Sequence, residues 1–277
     1  MALRPRDIGY PRRLLDLPSP PDPIWVEGDK SCLAVPAVTI VGTRRLTAYG
    51  ERVARELGRA CASADFVIVS GLAPGIDSAA HRGAVDVNGR TIAVLGEGIS
   101  LCLATMAARY RELVPRICAR GALLSEYEPT FTARPWTFVK RNATMAALGS
   151  AVVVVEAGER SGALITANDA VRLGRPVYAV PGPLGSAASV GTNALIAAGR
   201  ARALVTPEGL LTDLGSTVAK PRPVSDPILD ALAAGPLDVD ALWRAVRGDR
   251  DDLSAALTRL LLSGRIAFTS DGRYRRL

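Results

Sequence analysis

The sequence of 277 residues holds a single histidine, His81, and only four cysteines, Cys32, Cys61, Cys102 and Cys118. No two of the cysteines form a C-x-x-C pair, so a zinc site of thiolates and imidazoles lacks its ligands, and no cofactor is expected. Scattered cysteines of this kind read as buried, reduced thiols. A Ser-His-Asp apparatus would have to rest on His81 alone. No G-x-x-x-x-G-K-[ST] segment occurs, which excludes a P-loop ATPase. Lysine is scarce, at positions 30, 140 and 220 only. Long apolar runs are missing too. The most apolar stretch, 151–155, has the length of a strand, and the N-terminus has no signal-peptide core. The expectation is a cytoplasmic protein with no membrane partner.

What is abundant is arginine, and it brings the formal net charge to +7. A basic surface attracts polyanions, nucleic acid among them, although an arginine bias can also reflect genomic base composition. At 48% hydrophobic residues the chain can bury one full-sized core and a smaller one.

Residues 1–36 are rich in proline and read as an extended arm without regular structure. Leu14, Leu17, Ile24 and Trp25 would pin it to the main body. From 37 to 214 the pattern is strand, glycine-rich turn, helix, repeated. The strands are continuous apolar runs, "VTIVG", "FVIVSG", "TIAVLG", "AVVVVEAG" and "PVYAVPG", which indicates burial on both faces. Helices are expected at 48–62 and 163–173. The fold class is therefore α/β, a doubly wound, mostly parallel Rossmann-like sheet. Each strand ends near a glycine, and ligands of open α/β sheets bind at the carboxyl ends of the strands. Gly42, Gly71, Gly96, Gly158 and Gly182 gathered there would leave backbone amides open to an anion.

Residues 215–226 read as a linker. Beyond it, 227–277 holds a short helix ended by Gly235, a second helix capped by Asp238, and a third with Leu253, Leu257, Leu260 and Leu261 on one face. A hairpin turning at Asp271-Gly272 completes a winged helix. The third helix carries Asp251 and Asp252 beside Arg259, a poor face for a DNA major groove, so a protein-contact or regulatory role is expected.

Several segments suit phosphate. Gly42, Thr43 and Arg44 stand where the first strand gives way to a helix, and helix N-terminal amides with an arginine fork bind anions. Ser70 and Gly71 follow the second strand. Asp77 nearby reads as a helix cap in preference to a catalytic base, and His81 as a structural hydrogen-bonding group. Lys140, Arg141 and Asn142 open another helix as three donor side chains. Ser161, Gly162 and Thr166 follow the fourth long strand, and Thr192 and Asn193 repeat the pattern.

Taken in order, "VGTR", "SGLAPGIDSAAH", "TIAVLGEG", "SE" at 125–126, "RN" at 141–142, "VVEA…SGALITA", "VPG" and "GTNALI" resemble the DNA-processing protein A family, also called DprA or Smf. The likeness runs over roughly residues 10–214. It departs after "GEG", where the family's acidic residue, Tyr-Pro and Asn are not in place, and at Thr43 and Val139, where Ser and Pro are frequent. The family's N-terminal helical module is expected to be absent. The resemblance implies a domain that binds single-stranded DNA, dimerises and helps load the RecA recombinase during natural transformation, with no catalysis. For the dimer it points to Leu210, Leu211 and Leu214, at helical spacing before the linker. A second reading, a nucleoside-monophosphate phosphoribohydrolase, rests on a related fold. Its P-G-G-x-G-T-x-x-E motif is missing, although Asp77, Glu126 and Glu156 remain near strand ends.

Overall fold

The computed structural model describes residues 1–105, 110–216, 227–246, 250–262, 264–269 and 271–276. They fall into two compact units, Met1–Thr217 and Val218–Leu277. Residues 217–226 of the expected linker lie outside the described residues.

The first unit is built on nine strands: β1 (Ala2–Leu3), β2 (Ile24–Gly28), β3 (Ala37–Val41), β4 (Val67–Ser70), β5 (Thr91–Leu95), β6 (Ala122–Ser125), β7 (Ala151–Val154), β8 (Val177–Ala179) and β9 (Arg202–Ala203). Their spatial order is β1-β2-β6-β5-β4-β3-β7-β8-β9. All neighbours from β6 to β9 are parallel, while β1 and β2 run antiparallel at one edge. From β3 the chain winds outward through β4, β5 and β6, then returns to the other side of β3 with β7. The crossover between β3 and β7 is the topological switch point of the sheet.

Both faces are buried because successive apolar residues point to opposite sides. Val38, Ile40, Ile68 and Val153 pack under α1 (Ala48–Ser63), α2 (Ile76–Asp86) and α8 (Pro207–Asp213). Val41, Val69, Val94, Val152 and Val154 pack against α5 (Pro135–Leu148) and α6 (Ala163–Arg172). A further cluster joins Ala93, Leu95 and Leu123 to α3 (Ile99–Thr105) and α4 (Leu113–Arg120). Helix α7 (Val190–Ala197) follows β8. Cys32, Cys61 and Cys102 are buried and Cys118 is half-buried, all as free thiols.

The arm is more ordered than its prolines imply. It supplies β1 and β2, and Trp25 and Val26 pair with Ser125 and Leu124 of β6. Proline is tolerated at a sheet edge or just before a strand, and Pro23 immediately precedes β2, which the two-residue edge strand β1 covers. Leu14 and Ile24 are fully buried, and Leu17 and Trp25 pack against the core.

The second unit holds α9 (Pro227–Ala231), α10 (Val239–Val246), α11 (Arg250–Leu262) and the strands β10 (Ile266–Phe268) and β11 (Tyr274–Arg276). Gly235 ends the first helical segment at φ +144°, and Ala241 N donates to Asp238 Oδ1 at 2.7 Å. The hairpin closes through Thr269 N to Arg273 O, with Gly272 at φ +80°. Leu253, Leu257 and Leu260 are buried, but Leu261 is 36% exposed. It stands about 80° around the helix from Leu253, at the edge of the apolar stripe and outside it. The side chains of Asp251, Asp252 and Arg259 lie outside the described residues.

Candidate nucleic-acid interface

The switch point opens into a cleft of about 460 Å³. Four segments wall it: Gly42–Arg45 after β3, Ala73 and Asp77 at the start of α2, residues 158–166 after β7, and the face of α5 from Phe138 to Met145. The β3 loop is fastened from both sides. Thr43 N donates to Glu156 O at 2.8 Å, and Ile76 N at the start of α2 donates to Thr43 O at 3.2 Å. The Glu156 carboxylate, buried, accepts from Thr47 N at 3.0 Å and Thr47 Oγ1 at 2.5 Å, so the end of β7 also anchors the first turn of α1. Helix α5 starts at Pro135, whose missing N–H and fixed φ suit a first helical position. Thr137 Oγ1 accepts from Arg134 N and donates to Gly96 O at 2.6 Å.

Of the sequence-predicted residues, Gly42, Thr43, Arg44, Arg141, Asn142, Ser161, Gly162 and Thr166 line this cleft. Gly71 lines an adjoining pocket that shares Arg44, Phe138 and Arg141 with it. Lys140, Ser70, Thr192 and Asn193 do not line it. Lys140 lies on the outer side of α5, 52% exposed, with Nζ 3.2 Å from Glu126 Oε2. Ser70 is fully buried and donates to Ile40 O. Thr192 is buried and bonds its own helix turn at Ser189 O, and Asn193 clamps both the N–H and C=O of Gly182.

Two corrections follow. The expected row of open amides is broken at Gly71 and Gly182. Gly71 N donates to Asp77 Oδ2 at 3.1 Å, Gly182 N to Asn193 Oδ1, and Thr43 N to Glu156 O. The glycines allow close packing instead: a Cβ at Gly71 would overlap the Arg141 guanidinium, and one at Gly96 would lie 2.7 Å from Phe138 Cδ1. Second, Arg141 and Asn142 are not presented as surface donors. Arg141 is 4% exposed and its Nη1 donates to Gly71 O at 2.8 Å and Val94 O at 2.6 Å. Asn142 Nδ2 donates to Gly162 O at 3.3 Å. Their position on α5 turns them toward the sheet, and a buried polar group is stable only when bonded.

The charged side chains that can meet an anion are Arg44, Arg45 and Arg160, all exposed on the rim, and Ser161 and Thr166 add hydroxyls to the cleft wall, Thr166 Oγ1 being buried without a protein partner among the described residues. Among the described residues none of the three arginines forms an ion pair with a carboxylate. The Arg44 guanidinium lies 5.6 Å over the Phe138 ring, which orients it without neutralising it. Val139 and Ile165 add exposed apolar wall. Arg45 and Arg160 were legible only as neighbours of chosen residues, in "TRR" and "ERSG".

The carboxylates are engaged in internal bonds, Asp77 from within the cleft wall. Burial pushes the Asp77 carboxyl above its ordinary range, with Arg141 opposing, and it holds the loop after β4. Glu126 accepts from Thr144 Oγ1 and pairs with Lys140. His81 is fully buried. The Thr91 hydroxyl spends its proton on Ile68 O, so His81 Nδ1 donates to Thr91 Oγ1, at 2.6 Å.

Burial, with Arg141 nearby, pushes the His81 pKa down to about 3. An imidazole with a lowered folded pKa stabilises the fold above its unfolded pKa of about 6.5, and this is lost as pH falls. Between pH 7.5 and 5 the loss from this residue is about 2 kcal/mol. Asp77, with its raised pKa, works in the opposite sense: its contribution is lost as pH rises. The difference between the wild type and H81Q in urea denaturation at several pH values isolates the histidine. An equal pH dependence in both proteins refutes the assignment.

Fold and cleft define a Rossmann-like α/β protein with an arginine-rimmed switch point, followed by a winged helix. Residues 2–215 match the family described as DNA recombination-mediator protein A, and residues 216–272 match the DprA winged helix domain. The chain belongs to the DprA/Smf family. It is 43% identical over 183 residues to Protein Smf of Synechocystis sp., covering 65% of this chain and 45% of that one. It is 42% identical over 200 residues to a putative DNA processing protein DprA of Mycobacterium tuberculosis, covering 70% and 51%. The alignments thus span about half the length of these relatives. Among solved structures, DNA processing protein A from Streptococcus pneumoniae superposes with a TM-score of 0.71 at 33% identity, covering 77% of this chain and 74% of that one. DNA processing protein A from Helicobacter pylori, described for its single-stranded DNA binding mode, gives 0.69 at 29% identity, covering 77% and 95%. No helix among the described residues is long and apolar enough to cross a membrane.

Proposed function

We propose that this chain binds single-stranded DNA by its phosphates at the switch-point cleft, without catalysing a reaction on it. The observation that carries the proposal is the set of three exposed arginines, Arg44, Arg45 and Arg160, around one concave site. Guanidinium forks suit phosphate oxygens and read no base edges. A cleft of about 460 Å³ has the dimensions of a small-molecule site. A flexible strand can turn its backbone into such a space, whereas a duplex cannot. The Helicobacter pylori relative supports the choice of ligand. The commitment of Glu126, Glu156 and Asp77 to internal hydrogen bonds supports a binding role over hydrolysis.

The family relationship extends the proposal to recombination: handing the strand to the RecA recombinase, in transformation or another repair task, with two chains acting together. The contact between chains is not made by Leu210 and Leu211, which are 0% and 5% exposed and seal the core beneath α8, with Leu214 packed beside them. Exposed neighbours such as Val205, at 84%, are free for it.

The test is a titration of single-stranded and duplex DNA of one sequence, followed by gel shift, with light scattering on the same samples. Tighter binding of the single strand, indifference to sequence and a log–log salt slope of about −3, as for four phosphates, are expected. Equal affinity for duplex would refute the cleft as the principal site. A mass of one chain throughout would remove the self-association.

A further inference from the structure

Helix α5 carries a second surface beside the cleft. Trp136, Val139 and Lys140 stand at i, i+3 and i+4 and form one exposed stripe. Val139 also lines the cleft, so the stripe is continuous with its rim. Trp136 is 53% exposed, in the first turn of the helix, directly after Pro135. Its indole is nevertheless held in place. It meets the Tyr127 ring edge-on at 5.9 Å and 78°, and the Phe131 ring at 6.3 Å and 71°. Tyr127 and Phe131 themselves stack at 4.8 Å and 18°, and Tyr127 is buried. Lys140 Nζ lies 5.8 Å over the Tyr127 ring.

A large aromatic left half in water costs hydrophobic stabilisation, and the packing around it fixes its orientation at little further entropic expense. A strand gripped by its phosphates at Arg44, Arg45 and Arg160 has bases with free π faces. Base–aromatic stacking is tolerant of sequence because every base offers such a face. Lys140 is already paired with Glu126 at 3.2 Å, so it is the arginines of the adjoining rim, unpaired among the described residues, that make a polyanion a better occupant than an apolar protein surface. We propose that Trp136 is a stacking platform for a base of the strand whose phosphates occupy the cleft. The inference rests on the phosphate-binding reading above.

The experiment compares the full chain with W136A and W136F on two strands of equal length, oligodeoxythymidylate and the same backbone with abasic sites. W136A is expected to bind the thymidylate about 5- to 150-fold more weakly, W136F to recover most of that loss, and all three to bind the abasic strand alike. Melting temperatures within about 2 °C of each other confirm that the variants are folded. If the wild type binds both strands and W136A matches it on each, the platform is refuted while the phosphate grip stands. If W136A loses both strands equally, Trp136 shapes the cleft and does not stack. If W136A changes the mass in light scattering and leaves strand binding unaltered, the indole belongs to a contact between copies, and the proposal falls. A wild type that binds neither strand overturns the phosphate grip and this inference with it.

Discussion

Replacing Arg44 and Arg160 together with glutamate is expected to weaken single-stranded DNA binding by two to four orders of magnitude while leaving the fold intact. A hydrogen bond to a charged group contributes roughly 1.5–3 kcal/mol, so two lost contacts cost roughly 3–6 kcal/mol before repulsion is added. Neither guanidinium is needed to hold the structure. Both are exposed, and neither pairs with a carboxylate among the described residues. The salt dependence should shallow by about 0.7 for each phosphate contact removed. K140A is the contrasting case. Lys140 already faces Glu126 at 3.2 Å and lies outside the cleft, so its loss should cost less than either arginine. Binding isotherms at several salt concentrations, with thermal melts of each variant, decide the matter. A folded double variant that binds within about threefold of the wild type places the strand elsewhere.

The sheet was legible because its strands are continuous apolar runs, a pattern that only two-sided burial explains. β6 was not, since "ALLS" at 122–125 is too short to distinguish from the end of a helix. β1 and β2 were hidden by prolines, which are barred from central strands but tolerated at an edge or just before a strand. For the cleft, sequence order located the right loops, and the switch point brought three of them together. What sequence could not assign was side-chain direction. Along α5, Lys140 and Arg141 are adjacent and chemically alike, yet helical geometry sends one to water and the other beneath the sheet edge. The same blindness applied to Leu210 and Leu211, whose spacing fits a core and a dimer face equally well. Glycines at strand ends misled for a related reason: their small size serves neighbours such as Arg141 and Phe138, a packing relation between segments far apart in sequence.

Arg141 therefore carries the other large effect, on stability. Its Nη1 bonds two carbonyl groups, Gly71 O after β4 and Val94 O in β5, and its charge lies close enough to Asp77 to offset part of the burial cost of that carboxylate. The effect is mutual: burial lowers the Arg141 pKa from its ordinary value, and Asp77 holds it up. The two groups, both among the described residues, make no direct ion pair, so removing Arg141 costs at most the roughly 3–5 kcal/mol of a broken buried pair, much of it through its own lost hydrogen bonds. R141A leaves two carbonyl oxygens without their donor. For a protein of this size each kcal/mol corresponds to roughly 2–4 °C, so R141A is expected to melt below the wild type by up to roughly 6–20 °C. Lysine keeps the charge but cannot reproduce the planar fork, so R141K should recover only part of the loss. The double variant R141A/D77N removes both charges, and its destabilisation should be smaller than the sum of those of R141A and D77N, by roughly 0.5–3 kcal/mol of coupling. Denaturant melts of the four proteins at pH 7 close that cycle. An R141A variant that melts with the wild type but no longer binds DNA would make Arg141 a contact of the strand. One that melts far below it, with additive singles, would remove Asp77 from the account and leave the carbonyl brace alone.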